Sequence, residues 1–256
     1  MYSNQKSAKA QKITILIILS LFISNYGSLL AQTKTIPVEH FKKIIVSPHI
    51  QVNFVQGDKE SVRIESISVS EDKLNVEVSG STLRIYLEGA KMVTKSEKSD
   101  DYEGKQDIYD GNIVKATVTY KTLQELSLRG EQKFICESPL ELDKFVLTIY
   151  GESNVQLTKV KIKNLNTTIY GESYLEIKSG SIGRHKIIAY GESEVNAAEV
   201  DTRTAKVTAY GEANIRLMVA DELKVTSYGE ADISYTGDAN VKKGIVIGDA
   251  TIKKIN

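Results

Sequence analysis

Apolar and polar residues alternate along most of this chain. Ile50, Val52 and Phe54 interleave with Gln51 and Asn53, and the same period of two recurs at Val62 and Ile64, at Leu74, Val76 and Val78, and at Leu83, Ile85 and Leu87. A period of two predicts strands with one buried and one wet face. Gln56-Gly57-Asp58, Glu71-Asp72 and Ser79-Gly80-Ser81 read as the turns between them. No stretch carries a 3.6-residue apolar period, so the fold class is all-β. The alternation is interrupted over 88–112, a dense mixture of Lys, Asp, Glu, Ser and Gly that includes the acidic pair Asp100-Asp101. Such a segment buries too little apolar surface to offset its ordering entropy, which predicts a long, exposed, charged loop insertion with mobile parts. From Ile113 the β pattern resumes and runs to Asn256.

Within 124–256 the pattern becomes a repeat. Tyr-Gly-Glu occurs at Tyr150-Gly151-Glu152, Tyr170-Gly171-Glu172, Tyr190-Gly191-Glu192, Tyr210-Gly211-Glu212 and Tyr228-Gly229-Glu230, with glycine spacings of 20, 20, 20 and 18. A fixed period near 20 predicts a solenoid, in which each coil buries its apolar face only by stacking on its neighbours. Stacked in parallel at about 4.8 Å, coils of this length make a parallel β-helix. Weaker copies, Leu128-Arg129-Gly130-Glu131 and Ile247-Gly248-Asp249-Ala250, extend the array in both directions.

Aligned on the tyrosines, the positions five, three and one before Tyr are mainly apolar (Phe145, Leu147 and Ile149; Leu165, Thr167 and Ile169) and are read as inward. The positions between them hold Thr148, Thr168, Thr208 and Thr226 with Lys186, Lys206 and Lys224, and are read as outward. Val155 and Leu157, and their counterparts in later coils, resume the inward set after the corner. Parity then places Tyr and Glu outward and Gly inward, with small Ser153, Ser173, Ser193, Ala213 and Ala231 also inward. A β-bulge at Gly would reverse Glu but not Tyr. Cys136 falls in the inward column of Leu157 and Ile177, as a small buried hydrophobe rather than a nucleophile.

The opening Phe41-Lys42-Lys43-Ile44-Ile45-Val46 with Ile50-Gln51-Val52-Asn53-Phe54-Val55-Gln56-Gly57, followed by Leu83-Arg84-Ile85 and the repeated Gly-x-(Ser/Ala)-x-(aliphatic) corners, resembles the putative auto-transporter adhesin head GIN domain family of exported bacterial proteins, notably of the Bacteroidetes. The resemblance spans about 36–256 and implies a right-handed β-helix and an adhesin-like role. It carries no catalytic residues. The Tyr before and the Glu after each corner Gly depart from the family's habit, so they mark a surface feature of this chain.

Lys6, Lys9 and Lys12 precede the apolar run 13–23, and Ser28-Leu29-Leu30-Ala31 offers a cleavage site. Residues 1–31 therefore read as a signal peptide, with an uncleaved anchor as the alternative and 32–256 as a single head domain. Export places the protein in the periplasm, on the outer surface or in the medium. No later segment is apolar enough to be a transmembrane span. Lys+Arg and Asp+Glu are both 33, so no net field favours nucleic acid. One Cys permits no internal disulfide.

The candidate binding residues are the two outward columns: Tyr150, Tyr170, Tyr190, Tyr210 and Tyr228, and Glu152, Glu172, Glu192, Glu212 and Glu230. The tyrosines form either a stabilising ladder or a flat aromatic stripe for sugar rings or another protein. Carboxylates about 5 Å apart repel by on the order of 0.8 kcal/mol per pair even in bulk water, which splaying, salt, the nearby lysine column or bridging calcium could relieve. A uniform ladder gives every carboxylate the same surroundings, against the distinct acid and base of a glycosidase. His40, His49 and His185 lack metal-ligand spacing, and no nucleophile elbow or phosphate loop occurs. The expectation is a non-enzymatic binding protein without cofactor or metal, engaging a glycan or protein. The alternatives are a structural or assembly module, which includes a homo-oligomer, and a polysaccharide lyase or hydrolase.

Overall fold

The computed structural model describes residues 33–98 and 105–255. The signal peptide and the Asp100-Asp101 pair lie outside the described residues. Among those described there is no α-helix, and one short 3₁₀ turn, Glu71–Lys73, is the sole helical element. No helix is long and apolar enough to cross a membrane.

The chain is a parallel β-solenoid. Each repeat contributes a strand before the corner glycine and one after it, as in Leu140–Gly151 with Asn154–Leu157 and Val160–Gly171 with Tyr174–Ile177. Equivalent residues stack in register: Phe145 on Leu165, Ile149 on Ile169 and Tyr150 on Tyr170, continuing through His185, Ala189 and Tyr190. The inward columns are fully buried, with Phe145, Leu147, Ile149, Leu165 and Ile169 all at 0% exposure. Burying aliphatic side chains of this size contributes roughly 1.5–3 kcal/mol each, which is what holds together a domain with no disulfide.

The stack begins before the repeat. Lys43–Val46 pairs in parallel with Glu125–Gly130 on one side and with Thr82–Leu87 on the other. Ile50–Gln56 is likewise held between Lys133–Cys136 and Val114–Tyr120. Stacking order therefore departs from chain order here, because 57–123 folds back to lay a further coil outside the first. Antiparallel strands finish that end: Ser61–Ile67 pairs with Val114–Tyr120 and Lys34–Pro37, and Leu74–Ser79 pairs with Thr82–Leu87. At the opposite end, Asn240–Ile247 and Ala250–Lys254 are the last coil, and Ile245, Val246 and Ile247 are exposed.

The charged segment 88–112 is pinned at both ends. Ala90 and Tyr109 are buried, Tyr109 Oη donates to the Glu88 carbonyl (2.9 Å), and Ser47 Oγ donates to the Lys91 carbonyl (2.7 Å). Between them Ser96–Lys98 and Lys105–Asp107 form a small antiparallel hairpin.

Candidate functional site

The tyrosine column is a continuous stack. Ring centroids of Tyr150, Tyr170, Tyr190, Tyr210 and Tyr228 are 4.9, 4.9, 4.8 and 5.0 Å apart in succession, with planes 7, 1, 6 and 5° from parallel. The spacing is that of the strands beneath, so the sheet itself dictates the stack. Each interior ring has both faces covered by its neighbours and presents its edge and hydroxyl outward. Tyr170 and Tyr210 are 39% and 38% exposed. One terminal face is covered too: the Arg129 guanidinium lies 5.1 Å from the Tyr150 centroid, and Arg129 is the register partner of Tyr150. At the far end Tyr228 is the register partner of Ile247. The flat, open aromatic surface anticipated for sugar stacking is thus taken up by the ladder.

The five glutamates are exposed, as anticipated. The glycines between are not inward, however. Gly151, Gly171, Gly191, Gly211 and Gly229 have φ of 90, 103, 93, 110 and 138°, and all five retain solvent exposure. A Cβ built on Gly171 would lie 2.5 Å from the Gly151 carbonyl oxygen, so the forbidden direction runs along the stack toward the previous coil. Glycine is needed both for the left-handed backbone and for this approach. Parity counting cannot see a residue that turns the chain rather than pointing off a pleat.

The buried serine beside each corner has a polar task. Ser153, Ser173 and Ser193 donate Oγ–H to the carbonyls of Gly130, Gly151 and Gly171 at 2.7, 2.8 and 3.2 Å. The Ser153 amide donates in turn to Ser173 Oγ (3.1 Å). Where the serine becomes Ala213, the Ser193 amide turns instead to the Glu212 carbonyl (3.0 Å). The inward serines therefore satisfy buried backbone groups as well as saving space.

Beyond the corner the carboxylates line a groove of about 390 Å³ with Glu192, Glu194, Glu212, Glu230, Asp232 and Asp249 along it. Among the described residues no three acidic, imidazole or thiol groups converge as metal ligands. Lys186, Lys206 and Lys224, each four residues before a tyrosine, stack in register, and Lys242 continues the column. Of these Lys242 pairs with Glu222, and none bridges to the glutamate column. The lysines accordingly form a separate basic row beside the carboxylate ladder.

Of the remaining candidates, Cys136 is buried, and burial first of all pushes its thiol up to about 12, with Tyr120 Oη 3.7 Å away. His185 is enclosed in the core, where burial lowers its pKa to about 3; its Nε2 meets Thr167 Oγ1 at 3.1 Å and its Nδ1 has no partner. Neither is placed for chemistry.

Sequence reasoning missed a second concavity, of about 430 Å³, where the charged segment meets the first tyrosine. Pro48, Met92, Val93 and Tyr150 supply its apolar lining, and Arg129, Glu131 and Asp107 its charges. His49, at φ 68°, braces it: its amide donates to Gln132 Oε1 (2.9 Å), its Nδ1–H to the Gly111 carbonyl (2.9 Å), and its Nε2 meets Thr94 Oγ1 (2.7 Å). The one signal in the sequence was Met92-Val93, an apolar pair within an otherwise polar run.

The described residues form a parallel β-solenoid that carries an outward seam of tyrosines and glutamates. The family model described as "Putative auto-transporter adhesin, head GIN domain" matches residues 40–239, and the chain belongs to that family. A putative adhesin from Bacteroides fragilis has the same fold, with a TM-score of 0.73, 20% identity and coverage of 87% of this chain and 96% of that one. A putative lipid binding protein from Parabacteroides distasonis aligns with a TM-score of 0.63 and 21% identity over 88% and 96% of the two chains. A putative adhesin from Parabacteroides merdae gives 0.59 and 20% over 90% and 98%. No curated protein matches the chain.

Proposed function

We propose that this protein is an exported, non-enzymatic, adhesin-like binder of the cell envelope or surface, and that its Tyr and Glu columns engage an extended glycan. The observation that carries this reading is the outward tyrosine column, whose rings repeat every 4.8–5.0 Å over five coils, with an exposed glutamate two residues further on in each coil. A linear, periodic surface complements a linear, periodic polymer. Because ring faces are occupied, contact falls to phenol hydroxyls, ring edges and carboxylates, all of which hydrogen-bond sugar hydroxyls. The acidic groove beyond the corner continues that polar surface.

The test is binding of the 32–256 protein to immobilised mucin glycans and bacterial polysaccharides, compared with the Tyr190→Phe/Tyr210→Phe and Glu192→Gln/Glu212→Gln/Glu230→Gln variants. Loss of retention in both variants supports the reading. Retention equal to the unmodified protein removes the columns from the site, and no retention of any glycan removes the glycan.

A second reading, assembly through the last coil, draws support from exposed Ile245, Val246 and Ile247. Light scattering that shows a monomer at all concentrations rejects it. Enzymatic turnover of a polysaccharide finds no support in a ladder of equivalent carboxylates.

A further inference from the structure

We propose that the concavity between the segment 89–95 and the start of the tyrosine ladder is a small-molecule site, and that its ligand is a single-chain amphiphile with a carboxylate head group. The site is separate from the glycan-binding columns proposed above, sharing only Tyr150 with them.

Its size, about 430 Å³, lies within the usual range for ligand pockets. One wall is conspicuously apolar for a surface segment: Met92 and Val93 are 57% and 77% exposed, and Pro48 and Tyr150 complete the lining. In a run as polar as 88–112, two large apolar side chains held open to solvent carry an unfavourable hydration free energy that a covering ligand would remove. The wall is held in place. His49 ties Thr94 through Nε2 and the Gly111 carbonyl through Nδ1, and its left-handed backbone is fixed by the Gln132 side chain. A non-glycine residue in that region persists only when its surroundings over-determine it, and such residues cluster at binding sites.

Arg129 sets the head group. Its guanidinium rests on the Tyr150 ring and donates to Met92 Sδ, a weak acceptor, and among the described residues no carboxylate pairs with it. The remaining donors of a planar fork match a carboxylate held by two parallel hydrogen bonds. Glu131 and Asp107 also line the site. Their charge opposes a dianion, so a singly charged carboxylate suits it better than a phosphate monoester. The amphiphile then lays its chain along Met92, Val93 and Pro48.

The experiment is calorimetric titration of the 32–256 protein with sodium dodecanoate below its micelle concentration, beside dodecyl phosphate and dodecyltrimethylammonium. Saturable one-to-one binding of dodecanoate is expected, with weaker binding of the phosphate and none of the ammonium. Arg129→Gln and Val93→Asp should each weaken dodecanoate at least tenfold, whereas Tyr190→Phe should not. A measurement on the unmodified protein guards against misfolded variants: saturating dodecanoate should slow peroxide oxidation of Met92 severalfold. No saturable binding, equal binding of the ammonium, tighter binding of the phosphate, unchanged affinity in both variants or an unchanged Met92 oxidation rate would each overturn the proposal.

Discussion

The rings of Tyr190 and Tyr210 lie 4.8 Å apart and 6° from parallel, each covering the face of the other. This relationship makes the column a structural ladder and limits what it can offer a partner to edges and hydroxyls. Tyr190→Ala removes two stacked pairs, with Tyr170 and Tyr210, and should cost about 1–3 kcal/mol. Tyr228→Ala removes only one pair and should cost about half as much. Urea denaturation of the two variants checks the ratio, and equal losses would contradict the ladder.

His185 predicts a pH dependence. Its folded pKa is depressed to about 3 by burial, so below the ordinary value near 6.5 the unfolded chain binds a proton that the folded one does not. Stability from this group is therefore complete above pH 6.5 and falls by about 1.4 kcal/mol per pH unit as pH drops toward 3. His185→Leu matches the column neighbour Leu165 and removes an unpartnered buried nitrogen. That variant should be at least as stable as the unmodified protein at pH 7, with a shallower acid slope in denaturant titrations at pH 4–7.

The corner glycines should be intolerant in a way that ordinary turn glycines are not. Gly80 has φ 60° and open space where a Cβ would go, so Gly80→Ala meets only backbone strain, about 1–2 kcal/mol. Gly171→Ala meets comparable strain and also the Gly151 carbonyl oxygen at 2.5 Å. Its loss of thermal stability should exceed that of Gly80→Ala, and equal losses would place the corner constraint elsewhere.

Cys136 should be silent. Buried, with its pKa pushed up to about 12, it presents almost no thiolate at pH 8. Ellman's reagent should leave the folded protein unmodified and react with one equivalent in 6 M guanidinium.

Much of this fold was legible because the β-strand period is two and the coil period is near 20. Alternation alone assigned the buried faces of Phe145 to Ile149, and parity placed the tyrosines and glutamates outward. Two kinds of information were not carried by pattern. Pairing order was one: nothing in 43–56 announces that these strands sit between 82–87 and 114–120 on one side and 125–136 on the other, since long-range pairing leaves no local periodicity. Ring orientation was the other. The sequence sets the tyrosines at rung spacing, but whether their faces meet one another or the solvent depends on side-chain torsions fixed only by the stacked neighbours. The Arg129 concavity joins three remote segments, and Met92-Val93 was hidden inside a run whose average character is charged. The corner glycines were misplaced for a local reason, because a left-handed residue leaves the pleat that parity assumes.

On the proposed function, the outward columns bind by their hydroxyls and carboxylates rather than by ring faces. The most direct measurement is retention on immobilised mucin glycans of the unmodified protein and of Tyr190→Phe/Tyr210→Phe, with thermal melts alongside. The double phenylalanine variant keeps the stack and deletes only two hydroxyls. An unchanged melting temperature with at least a tenfold weaker apparent affinity is the predicted result, and glycan affinity equal to that of the unmodified protein would contradict it.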